Sequence, residues 1–175
     1  MLKRKQLKKT KSGNQLGDFL EILVDSREQT PLDFPFKQVS NVGVTKLEVG
    51  DYACKCNDTV LPVIFERKSK GDLFGTLGKG HKRFRKELQR ALDNHIELII
   101  IIECSLISVL EGFVYKAHGG QKRNSKVKGT AIAQTLFTLW VKYGVLPVFC
   151  SSREEMSNYI YGTFLAMEKQ FKKGK

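Results

Sequence analysis

Phe65-Glu66-Arg67-Lys68-Ser69-Lys70-Gly71-Asp72, with Gly50-Asp51 upstream of it, is the stretch whose reading decides the fold. It reads as a strand ending in Glu-x-Lys, preceded by a second carboxylate at a turn. Side chains alternate along a strand, so Glu66 and Lys68 share one face and Arg67 points to the other. Asp51 and Glu66 can then hold a divalent metal while the Lys68 ammonium reaches the same small volume. Cutting a phosphodiester needs an activated water and relief of charge in the transition state, and a bound Mg²⁺ supplies both. Mg²⁺ keeps several waters, so one or two carboxylates suffice, and the Arg67 backbone carbonyl is the expected third oxygen.

Working outward, Asp25-Ser26-Arg27-Glu28 closes a first strand over residues 19–24. Asp25 and Glu28 can bind the ion or support its ligands. Arg27 can pair with one of these carboxylates or grip a phosphate in a bidentate way. Asp72, four residues after Lys68, is expected to hold Lys68 or to cap the helix that follows. Glu103, at the end of the apolar run 96–102, is a further acidic candidate. Glu-Arg-Lys and Gly-Asp are weak signals singly; the ordered set, each member at a strand end, is specific.

The flanking pattern alternates strands and helices. Residues 44–49, 52–56 and 60–66 alternate as strands of a meander joined at Gly50-Asp51 and Asn57-Asp58. A short helix over 72–77 is broken by Gly78-Lys79-Gly80. The next helix, 81–92, has an apolar stripe of Phe84, Leu88, Ala91 and Leu92 and a basic stripe of Arg83, Lys86 and Arg90. The run 96–102 reads as a central strand covered on both faces. Residues 117–129 are Gly-rich and basic and read as a mobile surface loop. Thr130 is placed to cap a helix with Ile132, Leu136, Trp140 and Tyr143 on one side. A last strand over 145–150 precedes a helix capped by Ser151 or Ser152, with Glu154 and Glu155 in its first turn. Met156, Ile160, Phe164, Met167 and Phe171 line that helix, and Tyr161 and Leu165 widen its apolar surface. The prediction is an α/β protein: one domain over 18–175, a central mixed β-sheet flanked by helices, after a flexible basic arm over 1–17.

The chain has 175 residues and a net charge of +12, and the charge is clustered. The arm carries Lys3, Arg4, Lys5, Lys8, Lys9 and Lys11 with no acid before residue 15. A second cluster surrounds the carboxylate motif and includes Lys79, Lys82, Arg83, Lys86 and Arg90; a third includes Lys122 and Arg123. Such a surface suits a polyanion, with nucleic acid the first candidate. No apolar run approaches the length of a bilayer span and no secretory signal is visible, so the expectation is an intracellular protein without membrane contact. Cys54-x-Cys56 lacks the partners of a zinc site, and in a strand both thiols share a face and simply pack. Nothing pairs His81, His95 and His118 as metal ligands.

Gly50-Asp51 and Glu66-Arg67-Lys68-x-x-x-Asp72 match residue for residue the GDxₙERKx₃D signature of the XPF/Hef family of structure-specific endonucleases, within the PD-(D/E)XK fold class. Asp25-Ser26-Arg27-Glu28 is similar to that family's upstream acidic motif. The resemblance runs from about Ile22 to about Phe164. It implies a restriction-endonuclease-like fold, with Asp51, Glu66 and the Arg67 carbonyl binding Mg²⁺ or Mn²⁺. It implies cutting of DNA near branches such as a 3′ flap, fork or splayed arm, and a homodimer or heterodimer built through the C-terminal helices. It sets the expected compartment as cytoplasm in a prokaryotic or viral setting and nucleus in a eukaryote. Family helices often carry Arg-Phe and then Gln three positions on; here Arg83-Phe84 is followed by Glu87. Many relatives add a tandem helix-hairpin-helix domain. This sequence ends at Lys175, so that grip is expected to be truncated, supplied by a partner, or replaced by the arm and the 117–129 segment. The competing readings are a non-catalytic DNA-binding subunit of a heterodimeric nuclease, against which all the carboxylates and the lysine are retained, and a metal nuclease acting on RNA.

Overall fold

Four consecutive isoleucines, Ile99, Ile100, Ile101 and Ile102, place their strand at the middle of a sheet, because an all-apolar run is stable only when both faces are covered. In the computed structural model, which describes residues 20–37, 39–56, 59–78, 81–117 and 119–173, this strand is central and its last five residues are buried. The elements in chain order are β1 (Leu20–Asp25), β2 (Val39–Thr45), β3 (Tyr52–Cys56), β4 (Thr59–Val60), β5 (Val63–Lys68), α1 (Lys70–Gly78) and α2 (His81–Asp93). There follow β6 (Glu97–Ile102), α3 (Leu106–Leu110), β7 (Val114–Lys116), β8 (Lys122–Asn124), α4 (Gly129–Tyr143), β9 (Leu146–Phe149) and α5 (Arg153–Lys173). The main sheet runs β2-β1-β3-β5-β6-β9, with β4 paired to β3.

The sheet is mixed, as the sequence predicts. β3 is antiparallel to β1 and β5, whereas β5, β6 and β9 run parallel through helical crossovers. Alternation divides the core between its faces. Ala53, Ile64, Ile100 and Ile102 meet α1, α2 and α4 on one side. Tyr52, Phe65, Ile99 and Ile101 meet α5 and the 32–36 segment on the other. By the same parity Asp51, Glu66 and Lys68 face the α1–α2 layer, and Arg67 faces away from it.

Several expectations need correction, among them Thr130 as a cap: α4 starts at Gly129, after Lys128, and has no side-chain cap. The strand expected over 44–49 is instead β2, Val39–Thr45, and it pairs parallel to β1, so the first strands are not a simple meander. The chain leaves the sheet after Thr45 because the Asp25 carboxylate captures the Leu47 N–H at 2.7 Å. The returning strand expected over 60–66 is broken at Leu61-Pro62 into β4 and β5. The segment expected as a loop over 117–129 contains β8, paired with β7 as a ribbon. The face expected on α4 is rotated: Ile132, Ala133, Leu136 and Leu139 are buried, while Trp140 and Tyr143 are exposed. The helix expected over 81–92 is α2, with Phe84, Leu88 and Ala91 buried and Leu92 exposed. Cys54 and Cys56 are buried thiols, outside any disulfide, on one face of β3. The 1–17 arm and His118 lie outside the described residues.

Candidate active site

The Gly50-Asp51 turn is locked to β5 by its backbone. Asp51 N–H donates to the Phe65 carbonyl at 2.7 Å, and Asp25 N–H donates to the Asp51 carbonyl at 2.8 Å. Gly50 has φ of +67°, and a Cβ there would lie 2.4 Å from Ile64 Cγ2 and 2.8 Å from the Phe65 oxygen. Only glycine lets the turn close this tightly on β5. The closure brings Asp51 to the end of β5, where its Oδ2 accepts the Arg67 N–H at 2.8 Å.

Asp51, Glu66, Arg67 and Lys68 line one cleft of about 690 Å³, together with Arg27, Glu28, Gly71, Asp72 and Glu87. Glu66 is buried, and its Oε1 is paired with the Lys68 ammonium. Burial pushes the Asp51 carboxyl above the ordinary carboxylate range, against the pull of the Arg67 N–H and Lys68. Burial likewise pushes Glu66 up, with the Asp51 charge adding to it. Burial alone would lower Lys68, but contact with Glu66 and the charge of Asp51 raise it. Two carboxylates therefore share one ammonium in a poorly solvated place, and the set holds a proton more tightly than exposed acids would.

Of the two roles the sequence offered Asp25, ion ligand or support, its contacts are those of support. It is 1% exposed. Its Oδ1 accepts the Arg27 N–H and Nε at 2.8 and 2.7 Å, and its Oδ2 accepts Arg27 Nη2 and Leu47 N–H at 3.0 and 2.7 Å. With four donors its lone pairs are filled, and it does not line the cleft. Burial raises its pKa, but these bonds outweigh burial and hold it below the usual range. Arg27, half exposed, is bonded to Asp25 and to the Leu47 carbonyl at 2.9 Å.

Glu28 is held from behind the site. Arg67 clasps it through Nε and Nη2 at 3.1 and 3.0 Å, with side chains 10% and 7% exposed. Arg67 also bonds Glu103 at 2.9 Å and the Thr30 hydroxyl at 2.8 Å. The Arg67 side chain thus bolts the 28–30 loop to the sheet, while its backbone faces Asp51. Ser69, not Asp72, caps α1: Ser69 Oγ accepts the Asp72 N–H at 3.1 Å, and the Ser69 hydroxyl donates to Asp72 Oδ2 at 2.6 Å, so Asp72 supports the cap from the first turn. It lines the cleft but does not hold Lys68.

One carboxylate was not assigned a role by the sequence. Glu87 of α2 reaches the Gly50 N–H through Oε1 at 3.1 Å and lines the cleft. One turn on, Arg90 Nε donates to the Glu48 carbonyl at 3.2 Å. The visible signal was Glu87 standing where relatives often have Gln. Lys86 of α2 and Lys122 and Arg123 of β8 are exposed. Lys79 lies outside the described residues, as do the side chains of Lys82 and Arg83.

Among the described residues no group of three or more His, Cys, Asp or Glu side chains is gathered to hold a metal ion. The donor set at the cleft is instead one buried carboxylate, Glu66, one half-buried carboxylate, Asp51, and the backbone at Arg67. Asp51 Oδ1 and Glu66 Oε2 accept no hydrogen bond among the described residues. An all-oxygen set this small fits a hard cation that keeps its own waters.

A mixed sheet with helices on both faces and an acidic cleft where β5 ends defines the restriction-endonuclease-like fold. The ERCC4 domain model matches residues 24–163, and the chain belongs to that family. The XPF/Hef resemblance read from Gly50-Asp51 and Glu66-Arg67-Lys68 is borne out at this level. XPF from Aeropyrum pernix has a TM-score of 0.57 and 18% identity, over 87% of this chain and 65% of that one. XPF from Aeropyrum pernix in complex with DNA has a TM-score of 0.56 and 20% identity, over 89% of this chain and 66% of that one. The chain spans about two thirds of the length of these structures, and at such identities the likeness is one of fold. No curated protein matches the chain. Among the described residues no helix is long and apolar enough to cross a membrane.

Proposed function

We propose that this chain is a divalent-cation-dependent, structure-specific DNA endonuclease that hydrolyses phosphodiester bonds near branches. The observation that carries the reading is the convergence of Asp51, Glu66 and Lys68 in one cleft at the end of β5. The solved XPF complex with DNA lends the substrate class, and the +12 net charge suits it. Asp51, Glu66 and the Arg67 carbonyl would hold Mg²⁺ or Mn²⁺. When bound, such a cation lowers the pKa of a coordinated water and offsets charge on the reacting phosphate.

The chain's own residues do the rest. Lys68, whose ammonium pairs with Glu66, would orient the attacking water or offset charge on the non-bridging oxygens, and Glu66 would be one of the carboxylates that hold the cation. Glu28 and Asp25 keep Arg67 and the 26–30 loop in place through the bonds above. Exposed Lys86, Arg90, Lys122 and Arg123, with Arg27 at the cleft wall, are among the described cations able to follow the DNA backbone. The homodimer or heterodimer and the preference for 3′ flap, fork or splayed arm belong to the same proposal.

The test is cleavage of labelled flaps, forks and four-way junctions with Mg²⁺ or EDTA. The expected outcome is Mg²⁺-dependent cutting of branched DNA, lowered by roughly 10²-fold or more in Asp51→Ala and Lys68→Ala. Both variants should keep the circular dichroism of the wild type. Undiminished cutting by the two variants would overturn the assignment, and absence of cation binding by the wild type would favour a DNA-binding subunit instead.

A further inference from the structure

Away from the carboxylates, the β7–β8 ribbon carries an arrangement that the cleft chemistry does not use. The register pairs Tyr115 with Arg123 and Lys116 with Lys122. Directly opposed residues share a face, so one face presents an aromatic ring beside a guanidinium and the other two ammonium groups. Like charges placed directly opposite each other destabilise a ribbon. No acidic residue lies between positions 114 and 128 to relieve them. All six strand residues are exposed, Tyr115 by 43%.

The ribbon is nonetheless anchored, and anchored beside the cleft. Phe113, two residues before Tyr115 and hence on its face, stacks on Tyr115 with centroids 6.4 Å apart and planes 20° apart. Phe113 in turn meets Phe74 of α1 at 5.6 Å. The Phe113 ring comes so close to α1 that a Cβ on Gly71 would lie 3.2 Å from it, and Gly71 is part of the cleft wall. Ser125 N–H closes the ribbon onto the Phe113 carbonyl at 2.7 Å. A row of three rings thus runs from the core under α1 to the exposed Tyr115, flanked by Lys116, Lys122 and Arg123, which form no ion pair among the described residues.

We propose that the β7–β8 ribbon is a platform for single-stranded DNA leaving the cleft. Bases stack on Tyr115 and Arg123, and Lys116 and Lys122 bind phosphates on the other face. Aromatic stacking combined with a basic track is the chemistry that holds unpaired strands, since every base has a π face and a duplex keeps its faces covered. The proposal rests on the nuclease reading above, to which it adds a grip on the unpaired arm of the branch.

The experiment is fluorescence anisotropy with a fluorescein-labelled oligothymidylate and a labelled blunt duplex, in EDTA so that nothing is cut. Tyr115→Ala is expected to weaken oligothymidylate binding roughly 5- to 100-fold and Tyr115→Phe by no more than about two-fold. Neither should change duplex binding. The double variant Lys116→Gln/Lys122→Gln should reduce the slope of log affinity against log salt by about 0.7 for each phosphate it no longer neutralises. Oligothymidylate binding by Tyr115→Ala equal to wild type, or an equal loss on duplex, overturns the platform. Because these readouts involve no cutting, they separate from the nuclease reading. Full cutting by Asp51→Ala sinks that reading, whereas wild-type oligothymidylate binding by Tyr115→Ala beside an inert Asp51→Ala sinks the platform alone.

Discussion

At Gly50 a single missing Cβ decides whether the site exists. Alanine there would take a left-handed conformation that costs about 1–2 kcal/mol, and would press on Ile64 and the Phe65 carbonyl. Gly50→Ala is therefore expected to lower the melting temperature and to weaken cation binding together, because Asp51 is the next residue; a lower melting temperature with unchanged affinity would show that the turn does not position Asp51. The protonation of the acids gives a second prediction. Burial carries Glu66 up to about 8 and raises Asp51 as well. A carboxylate raised on folding binds protons that the unfolded chain has already lost, so stability falls as pH rises through that window. Metal-free protein should melt at a lower temperature at pH 8 than at pH 6. Saturating Mg²⁺ should restore stability at neutral pH and release protons, read by calorimetry in buffers of differing ionisation enthalpy. Binding without proton release would mean that the cation meets acids already ionised. Residue types made the cleft legible: Asp51, Glu66 and Lys68 meet where strand alternation and a Gly-Asp turn put them. For Asp25 the sequence left ion ligand and supporting acid open, because one of the four donors that decide it is the N–H of Leu47, twenty-two residues away.

At the level of elements, α2 is tied to the turn before Asp51 from two successive positions, Glu87 to the Gly50 N–H and Arg90 to the Glu48 carbonyl. On the proposed nuclease reading, in which Lys86 would follow DNA and Asp51 would hold the cation, α2 would thereby couple the two. Glu87→Ala removes the acceptor and is expected to weaken cation affinity about tenfold, as loss of a group supporting a ligand commonly does. Glu87→Gln keeps an acceptor oxygen and should retain affinity; if Gln fails as badly as Ala, the charge matters rather than the bond. Element order was largely readable from periodicity, and three misreadings share a cause. Residues 44–49 alternate because Leu47 and Val49 pack in the core, although the chain has already left the sheet, while β2 is an exposed edge strand with little apolar signal. β8, Lys-Arg-Asn, has no strand-like composition, and the ribbon forms because Phe113 is fixed by α1. On α4 the aromatic residues looked like the inner face, yet the small and branched residues fit against the sheet. In each case tertiary packing overrode local pattern.

For the whole molecule, assembly turns on which apolar surface is spare. Tyr161 and Leu165, expected as the broadened dimer face of α5, are spent internally: Tyr161 stacks on Phe36 at 4.1 Å, and both pack against the α5-side core. The spare surface lies on α4 instead, where Phe137, Trp140 and Val141 are exposed, Trp140 by 53% and Val141 by 82%. A specific interface buries about 800 Å² per partner and tends to centre on Trp or Tyr, so α4 is the place to expect a partner helix if a dimer forms. Trp140 is the sole tryptophan in the chain, which makes the expectation directly readable. Its emission maximum should move to the blue as protein concentration rises through the dissociation constant, in step with the mass from sedimentation. Val141→Glu should hold the protein monomeric at concentrations where the wild type associates, without changing its circular dichroism. A dimer whose tryptophan emission stays that of an exposed indole, and which Val141→Glu leaves intact, would place the interface away from α4.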